Sequence, residues 1–267
     1  MQLYFFKGER EKREAAIARK MAERKYARWK TDSLREADYM LVYGGDGTML
    51  EAERLRAKET KSHAKIIGMA YGTANSLMNK EIPLDQLIGT AQTVVFHPFE
   101  VTCIKKDGVS RSLLAFNETV IHRCSLWNQS CHLFVRVMEP KQFIQGRSVG
   151  DGLIVASRQG SPAYYYQAGG KFVDIWSANI GVQPICDRNA KNLSCVIPDT
   201  SRIAVEVCDY EKRPVIVNTD NNKAVQDVVH CEIQMNKQIS VPVLLGKQTP
   251  IMLCNQIWER QREPVYS

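Results

Sequence analysis

Apolar and polar positions follow two different patterns along this chain, and the change falls near residues 96–100. Short apolar runs at residues 3–6, 39–43 and 64–69 predict buried strands, because runs of this length are typical of strands in a parallel sheet. Between them, residues 9–30 and 50–59 predict helices. The first helix carries apolar side chains at helical spacing among many charges: Ala15, Ala18, Ala22, Tyr26 and Trp29.

After a further predicted helix that follows Pro83 and ends near Thr93, β-branched and alternating segments dominate. Turn residues bound these segments, and long helical patterns do not recur. The predicted strands are residues 100–105, 113–122, 132–138, 153–157, 203–208, 215–218 and 228–235.

These elements predict an α/β N-terminal domain followed by a β-rich C-terminal domain. Alternating strands and helices indicate a Rossmann-like parallel sheet with right-handed crossovers, whose ligands bind at the carboxyl ends of the strands. We expect the first domain to cover residues 1–98 and the β-rich domain residues 99–245, with a cleft between them. Residues 246–267 would form a C-terminal segment that can return to the first domain.

A glycine turn follows the second predicted strand, with the sequence Gly44-Gly45-Asp46-Gly47-Thr48. Glycine permits close backbone approach, and the helix that follows offers unpaired N–H groups to an anion such as phosphate. Asp46 would repel a phosphate unless a divalent cation lies between them or the acid accepts a proton. The turn therefore suggests phosphate chemistry, although it could be structural and Thr48 could simply cap the helix.

A second polar pattern, Asn117-Glu118, interrupts an apolar strand. Burying an amide and a carboxylate is unfavourable unless both find partners, and a ribose diol would suit the carboxylate. A strand-end cap or a turn would explain the pair equally well.

The third pattern is the longest and covers residues 150–157, 160–164 and 168–170. Asp151 lies between two glycines, Ser161 and Ala163 belong to a turn of small residues, and Tyr164 offers a ring for stacking. Small residues let a ligand approach the backbone, so this combination indicates a binding site.

A fourth pattern covers residues 217–221 and includes Asp220. Its sequence is typical of a hairpin turn. Asp220 could have a function, but an Asx turn explains it adequately.

Composition narrows the classes of protein to consider. The 36 Lys and Arg residues exceed the 29 Asp and Glu residues, which fits an anionic small molecule as partner or only a solubilising surface. Eight cysteines without C-x-x-C spacing indicate reduced thiols, with no metal site, and favour the cytoplasm. No apolar window reaches the roughly 18 residues of a membrane helix, so we expect no membrane partner. We also expect no nucleic-acid partner.

Taken in order, these patterns resemble the NAD kinase family. The resemblance spans about residues 38–220 and depends on the ordered set of motifs at 44–48, 117–118, 150–153, 160–164 and 168–170. It implies transfer of the γ-phosphoryl group of ATP, or of polyphosphate in some members, to the adenosine-ribose 2′-hydroxyl of NAD. The product would be NADP.

The resemblance also implies roles for individual residues. Asp46 would be the catalytic acid that activates the 2′-hydroxyl, and the rest of the turn would bind phosphate through Gly44, Gly45, Gly47 and Thr48. The residues implied to hold NAD are Gly72, Asn117, Glu118, Asp151, Ser161, Ala163 and Tyr164.

The family further implies Mg²⁺ or another divalent cation that acts with ATP, no tightly bound organic cofactor, and a homodimer or homotetramer in which Asp151 contacts NAD across the subunit interface.

Two alternative functions stay open. Residues 72–75 resemble the Gly-Thr-x-Asn element of diacylglycerol and sphingosine kinases. Pro162 stands where the family usually has threonine, which would suit a regulator that binds NAD or NADP without turnover.

Overall fold

The computed structural model describes residues 1–73, 75–80, 82–124, 129–138, 143–188, 193–220 and 223–252. Among these residues, the helices that are bounded at both ends are α1 (Arg13–Lys25), α2 (Asp46–Lys58) and α3 (Leu84–Thr90). Short helical turns lie at Ala27–Trp29 and Ser161–Tyr165. The strands are β1 (Leu3–Phe6), β2 (Tyr39–Gly44), β3 (Lys65–Ala70), β4 (Gln92–Phe96), β5 (Phe99–Lys105), β6 (Ser110–Ala115), β7 (Glu118–Arg123), β8 (Cys131–Met138), β9 (Phe143–Gly150), β10 (Gly152–Ala156), β11 (Asn179–Ile185), β12 (Cys195–Pro198), β13 (Arg202–Cys208), β14 (Val215–Thr219), β15 (Lys223–Gln226), β16 (Val228–Met235) and β17 (Val241–Leu245).

The chain forms two compact units. The first contains Met1–Phe96 and the described residues from Ile239 onward, and the second contains His97–Gln238. We refer to them as the α/β unit and the β unit. The predicted combination of an α/β N-terminal part with a β-rich C-terminal part is confirmed.

A five-stranded sheet organises the α/β unit in the order β1-β2-β3-β17-β4. The pairs from β1 to β17 are parallel, and β4 is antiparallel to β17 at the edge. The parallel strands are apolar almost throughout, as expected when a sheet is covered on both faces. As a result, the carboxyl ends of β2 and β3 lie side by side, with Gly44 opposite Ala70.

Two six-stranded antiparallel sheets form the β unit, in the orders β12-β11-β10-β7-β14-β15 and β6-β5-β16-β13-β8-β9. We refer to them as the first and second sheets of the β unit. Alternate side chains of both sheets make one continuous apolar core that contains residues such as Phe99, Val135, Leu153, Val182 and Val205. This is the arrangement of a β-sandwich.

Two predicted elements differ from the structure near the candidate site. Helix α2 begins at Asp46, four residues before the predicted start, because extended Gly45 is its N-cap and accepts the Met49 N–H at 3.0 Å. The predicted strand 113–122 is two strands, β6 and β7, in different sheets. It breaks at Phe116 and Asn117, whose N–H groups bond the Asp220 carboxylate.

Two further differences concern the ends of the α/β unit. The helix predicted to reach Thr93 ends at Thr90, and extended Ala91 leads into β4. Residues 241–245 fall within the predicted β-rich domain, but they form β17, which pairs with β3 and β4 in the α/β unit. This pairing joins residues far apart in the chain, so no local pattern reveals it. The C-terminal segment from residue 253 lies outside the described residues.

Candidate active site

The first glycine turn joins β2 to α2, as its sequence predicts. Gly44 ends β2, and a Cβ atom there would lie 2.7 Å from the Cβ of Thr48, so no other residue fits without displacement. Gly47 is different, because a Cβ there would meet nothing within 4 Å among the described residues. The side of the first turn of α2 that carries Gly47 is therefore open. Thr48 lies inside that turn and does not cap the helix.

Asp46 is the first residue of α2, and its carboxylate is held by a second loop. The backbone N–H of Ser76 donates to Oδ2 at 2.9 Å, and that of Leu77 donates to Oδ1 at 3.2 Å. Both oxygens are therefore oriented by backbone groups rather than by flexible side chains. The side chain is neither fully buried nor fully exposed, so a bound molecule can still reach it.

The second loop follows β3 and contains Gly72. Its backbone lies against the first turn, since a Cβ at Gly72 would be 2.9 Å from the backbone nitrogen of Gly45. Asn75 closes the loop by accepting the Gly72 N–H at 3.1 Å and donating to the Gly72 carbonyl at 2.7 Å. The Tyr71 N–H bonds the Gly44 carbonyl at 2.7 Å. Hydrogen bonds and backbone contacts therefore join the two loops next to Asp46.

In the β unit, Glu118 begins strand β7 and Asn117 lies directly before it. Gln159 donates from Nε2 to the Asn117 Oδ1 at 3.1 Å, and the Ser157 N–H donates to the Asn117 carbonyl at 2.8 Å. A Cβ at Gly160 would lie 2.7 Å from the Cα of Asn117. The structure therefore brings the Asn117-Glu118 pair against the turn at 157–163, which the sequence motifs left separate.

Glu118 is only 8% exposed, and its Oε2 atom has no hydrogen-bond partner among the described residues. Burial, with a smaller contribution from the negative charge of Asp220, raises the pKa of Glu118 to about 7. A buried acceptor without a partner is costly, and such groups are typical of binding sites. A donor from a ligand, such as a sugar hydroxyl, would satisfy this oxygen.

The helical turn Ser161–Tyr165 presents its residues in different directions. The Ser161 hydroxyl is buried, donates to the Val173 carbonyl at 3.2 Å and accepts the Val173 N–H at 3.1 Å, so it holds the turn in place. Ala163 is partly accessible, and Tyr164 is 44% exposed. The exposed ring of Tyr164 can therefore stack on a bound ring.

Tyr165, which the sequence motifs did not single out, is the anchor of this turn. It is fully buried, and a Cβ at Gly181 or at Gly170 would overlap its ring. Burial raises the pKa of Tyr165 to about 12. Gly170 of the 168–170 motif and Gly181 of β11 thus make room for a structural tyrosine beside the exposed Tyr164.

Asp151 lies at a different place in the β unit. It joins β9 to β10, and its Oδ1 forms a salt bridge with Arg123 Nε at 3.0 Å. The flanking glycines permit this corner, because Cβ atoms at Gly150 and Gly152 would lie 2.8 Å from the Cys186 carbonyl and 2.9 Å from the His122 Cα. Arg123 ends β7 and Glu118 begins it, so roughly 17 Å of strand separates Asp151 from Glu118.

The described residues contain no group of three or more His, Cys, Asp or Glu side chains placed to hold a metal ion. No helix in this part of the chain is long and apolar enough to cross a membrane.

Comparison with known proteins identifies the family. An NAD kinase of Cereibacter sphaeroides is 30% identical over 224 residues, which cover 82% of this chain and 85% of that protein. The chain belongs to the NAD kinase family. An NAD kinase of Xylella fastidiosa is 28% identical over 236 residues and 88% of each chain, and the family described as ATP-NAD kinase C-terminal domain matches residues 116–239. The resemblance stated from the motifs is confirmed, and the lipid-kinase alternative is set aside.

Solved structures agree on the fold. Yeast NADH kinase, solved with NADH, has a TM-score of 0.75 at 16% identity and matches 100% of this chain and 89% of its own. An NAD kinase from Archaeoglobus fulgidus, solved with ATP, has a TM-score of 0.68 at 19% identity and matches 95% of this chain and 97% of its own. At these identities the likeness supports the fold of this NAD kinase family member and not its site residues.

Proposed function

We propose that this protein is an NAD kinase, which transfers the γ-phosphoryl group of MgATP to the 2′-hydroxyl of the adenosine ribose of NAD. The products are NADP and ADP. The observation that carries the proposal is the Asp46 carboxylate, held at the N-terminus of α2 by the Ser76 and Leu77 N–H groups. Membership of a family of phosphotransferases supports the same reading.

In the proposed reaction Asp46 accepts the proton of the 2′-hydroxyl while the ribose oxygen forms a bond to the γ-phosphorus. The bond from that phosphorus to the oxygen bridging the β- and γ-phosphates breaks, and ADP leaves. A base contributes about 10²–10⁴-fold to such a step, and positioning supplies much of the remainder. Two backbone hydrogen bonds keep the acid in one orientation before the substrate arrives.

The donor phosphates would lie against the turn of Gly44, Gly45, Gly47 and Thr48, where the N-terminus of α2 favours negative charge. The divalent cation would come with the nucleotide. Mg²⁺ in kinases is usually held by one or two carboxylates together with phosphate oxygens and water. Asp46 is the one carboxylate in this turn, which fits a cation that ATP carries.

The acceptor NAD would be held by Gly72 and by the β-unit residues. Glu118 has a buried oxygen suited to a ribose hydroxyl, and Tyr164 has an exposed ring suited to adenine. Ala163 has a small side chain and is partly accessible. Ser161 stabilises the same turn through its hydrogen bonds to the Val173 backbone. Asn117 completes the set, with its orientation set by Gln159.

Asp151 contacts Arg123 at one end of β7, whereas Glu118 lies at the other end. Within one chain, Asp151 therefore does not belong to the cluster around Glu118. We therefore propose that it contacts NAD held by a second copy, in a homodimer or homotetramer. Closed symmetric assemblies are the usual form of such oligomers. We also propose a cytoplasmic location, with the seven described cysteines in the free form as support.

The direct test is NADP formation from NAD and MgATP, with parallel reactions that contain NADH as acceptor or polyphosphate as donor. We expect Asp46→Asn to lower kcat by more than about 100-fold while NAD affinity stays within about twofold, since the amide cannot take the proton. Asp85→Asn is the matched control, because Asp85 is an exposed acid in the first turn of α3.

If the wild-type protein forms no NADP under these conditions, the proposed function is wrong. Tight NAD or NADP binding without turnover would then identify the protein as a regulator. If Asp46→Asn keeps more than about a tenth of the wild-type kcat, Asp46 is not the base.

A further inference from the structure

Asp220 lies directly after β14, in the turn that the sequence explains as an Asx turn. Its φ of +50° places it in the left-handed region, which Asp and Asn enter more readily than most residues. The residue is 8% exposed, so its carboxylate is almost entirely removed from solvent. A buried acid needs strong partners, and these partners lie about a hundred residues earlier in the chain.

The Asp220 carboxylate accepts the N–H groups of three consecutive residues. Phe116 donates at 3.0 Å to Oδ1 and at 2.9 Å to Oδ2, Asn117 at 2.7 Å to Oδ1, and Glu118 at 3.3 Å to Oδ1. In return, the Asp220 N–H donates to the Glu118 carbonyl at 3.1 Å. Successive backbone N–H groups that converge on one anion form a nest, and here the anion is part of the protein.

The carbonyls of the same segment are held from the other side. Ser157 donates its hydroxyl to the Phe116 carbonyl at 2.6 Å and its N–H to the Asn117 carbonyl at 2.8 Å. The backbone of residues 116–118 therefore has little freedom, whereas the Oε2 atom of Glu118 keeps its hydrogen-bonding capacity for a ligand.

We propose that Asp220 is a positioning residue for NAD, whose carboxylate fixes the backbone of residues 116–118 and so aims Asn117 and Glu118 at the dinucleotide. The inference rests on the proposed function, because it takes these two residues to hold NAD. Asp220 itself does not contact the substrate in this proposal.

The charge of Asp220 has a second effect on the same segment. Two acids lie close together, and the negative charge of Asp220 adds to burial in raising the pKa of Glu118. Asp220→Asn keeps the shape and the left-handed backbone, keeps an acceptor oxygen and removes the charge. The pKa of Glu118 should then fall, and the pH at which NAD binding strengthens as Glu118 ionises should fall with it.

The experiment measures NAD affinity by calorimetric titration from pH 5.5 to 8.5, separately from NADP formation, for wild type, Asp220→Asn and Asp220→Gly. Glycine tolerates the left-handed backbone but removes the carboxylate altogether. Asp209→Asn is the matched control, because Asp209 also has a positive φ of 55° but is a mostly exposed acid after β13. Hydrogen–deuterium exchange of residues 116–118 reports the backbone directly.

We expect Asp220→Gly to weaken NAD binding by about tenfold or more, with faster exchange at residues 116–118 and a KM for ATP within about twofold of wild type. Asp220→Asn should move the pH midpoint of NAD binding to lower pH. Asp209→Asn should change neither quantity.

The proposal is overturned if both Asp220 variants bind NAD within about twofold of wild type with an unmoved pH midpoint. It is also overturned if the affinities for NAD and for ATP both fall in parallel with the fraction of folded protein, because this would indicate a purely structural role. A wild-type protein that binds no NAD overturns it as well. Wild type that binds NAD but forms no NADP contradicts the proposed function alone, since the titrations still decide the role of Asp220.

Discussion

Gly72 lies so close to Gly45 that a Cβ atom on Gly72 would be 2.9 Å from the backbone nitrogen of Gly45. The loop after β3 and the turn after β2 therefore touch backbone to backbone. This contact brings Ser76 and Leu77 to the Asp46 carboxylate, which accepts a hydrogen bond from each. The position of Asp46 thus depends on two glycines that do not themselves react.

Gly72→Ala is expected to push the two loops apart and displace Asp46. We expect kcat for NADP formation to fall by about 100-fold, because small misplacements of reacting groups carry losses of this size. Thermal unfolding should show a folded protein. Gly89→Ala is the control: a Cβ there meets nothing within 4 Å in the described structure, and alanine in α3 should stabilise by about 0.5–1 kcal/mol with activity unchanged. Full activity of Gly72→Ala would contradict the role of this contact.

Asn79 connects β3 to the chain around β17 through its buried side chain. The amide donates to the carbonyls of Gly68 at 2.9 Å and Leu244 at 3.1 Å, and accepts the Gly246 N–H at 2.7 Å. Asn79 is 2% exposed, and Asn79→Ala removes a donor from both carbonyls and the acceptor of the Gly246 N–H, whereas the Gly68 carbonyl keeps the Asn79 backbone N–H at 2.8 Å. Each lost hydrogen bond that leaves a buried group unpaired costs about 1–3 kcal/mol.

We therefore expect Asn79→Ala to lower the free energy of unfolding by about 3 kcal/mol, measured by urea denaturation. Asn236→Ala is the control, because the Asn236 side chain accepts an exposed hydrogen bond from the Gln238 N–H. It should cost about 0.5 kcal/mol. Equal losses in the two variants would show that the Asn79 hydrogen bonds do not stabilise the sheet.

Glu118 should make the stability of the free protein depend on pH. Its folded pKa is about 7, above the ordinary value of 4.5, so the folded state binds more protons than the unfolded state between these values. Stability should therefore fall as pH rises from about 4.5 to about 7, by at most about 3 kcal/mol from this group.

Glu118→Gln removes this titration and keeps the shape. The variant should gain stability relative to wild type as pH rises through this window, which urea denaturation at a series of pH values measures. Parallel stability curves for the two proteins would contradict the raised pKa. The same variant should bind NAD more weakly, since the amide carries no charge and has one acceptor oxygen in place of two.

Complementation between subunits tests the proposed role of Asp151. Asp46→Asn and Asp151→Ala should each be nearly inactive alone. Co-expression should restore activity, because a mixed dimer has one site with Asp46 from one subunit and Asp151 from the other, both unchanged. Random pairing predicts about a quarter of wild-type activity for a dimer. Activity no higher than that of the separate variants would place both residues in the same subunit's site or exclude Asp151 from it.

The local pattern of the chain determined much of its architecture. Apolar runs at residues 3–6, 39–43 and 64–69 became β1, β2 and β3, and the alternating segments after residue 98 became the antiparallel strands of the β unit. These elements could be predicted because side-chain periodicity reports directly which faces are buried. The glycine turn around Asp46 could be placed for the same reason, since a strand, a turn and a helix follow one another in sequence.

Long-range contacts decided the rest. The sequence does not indicate that the Ser76 and Leu77 N–H groups bind Asp46, because every residue except proline has a backbone donor. Asp220 looks like a local turn former, yet its carboxylate ends one predicted strand and orients the start of β7 more than a hundred residues away. Only the folded chain brings such groups within hydrogen-bond distance. The motifs could therefore be recognised in the sequence, whereas the contacts that hold Asp46 and Glu118 in place depend on the tertiary structure.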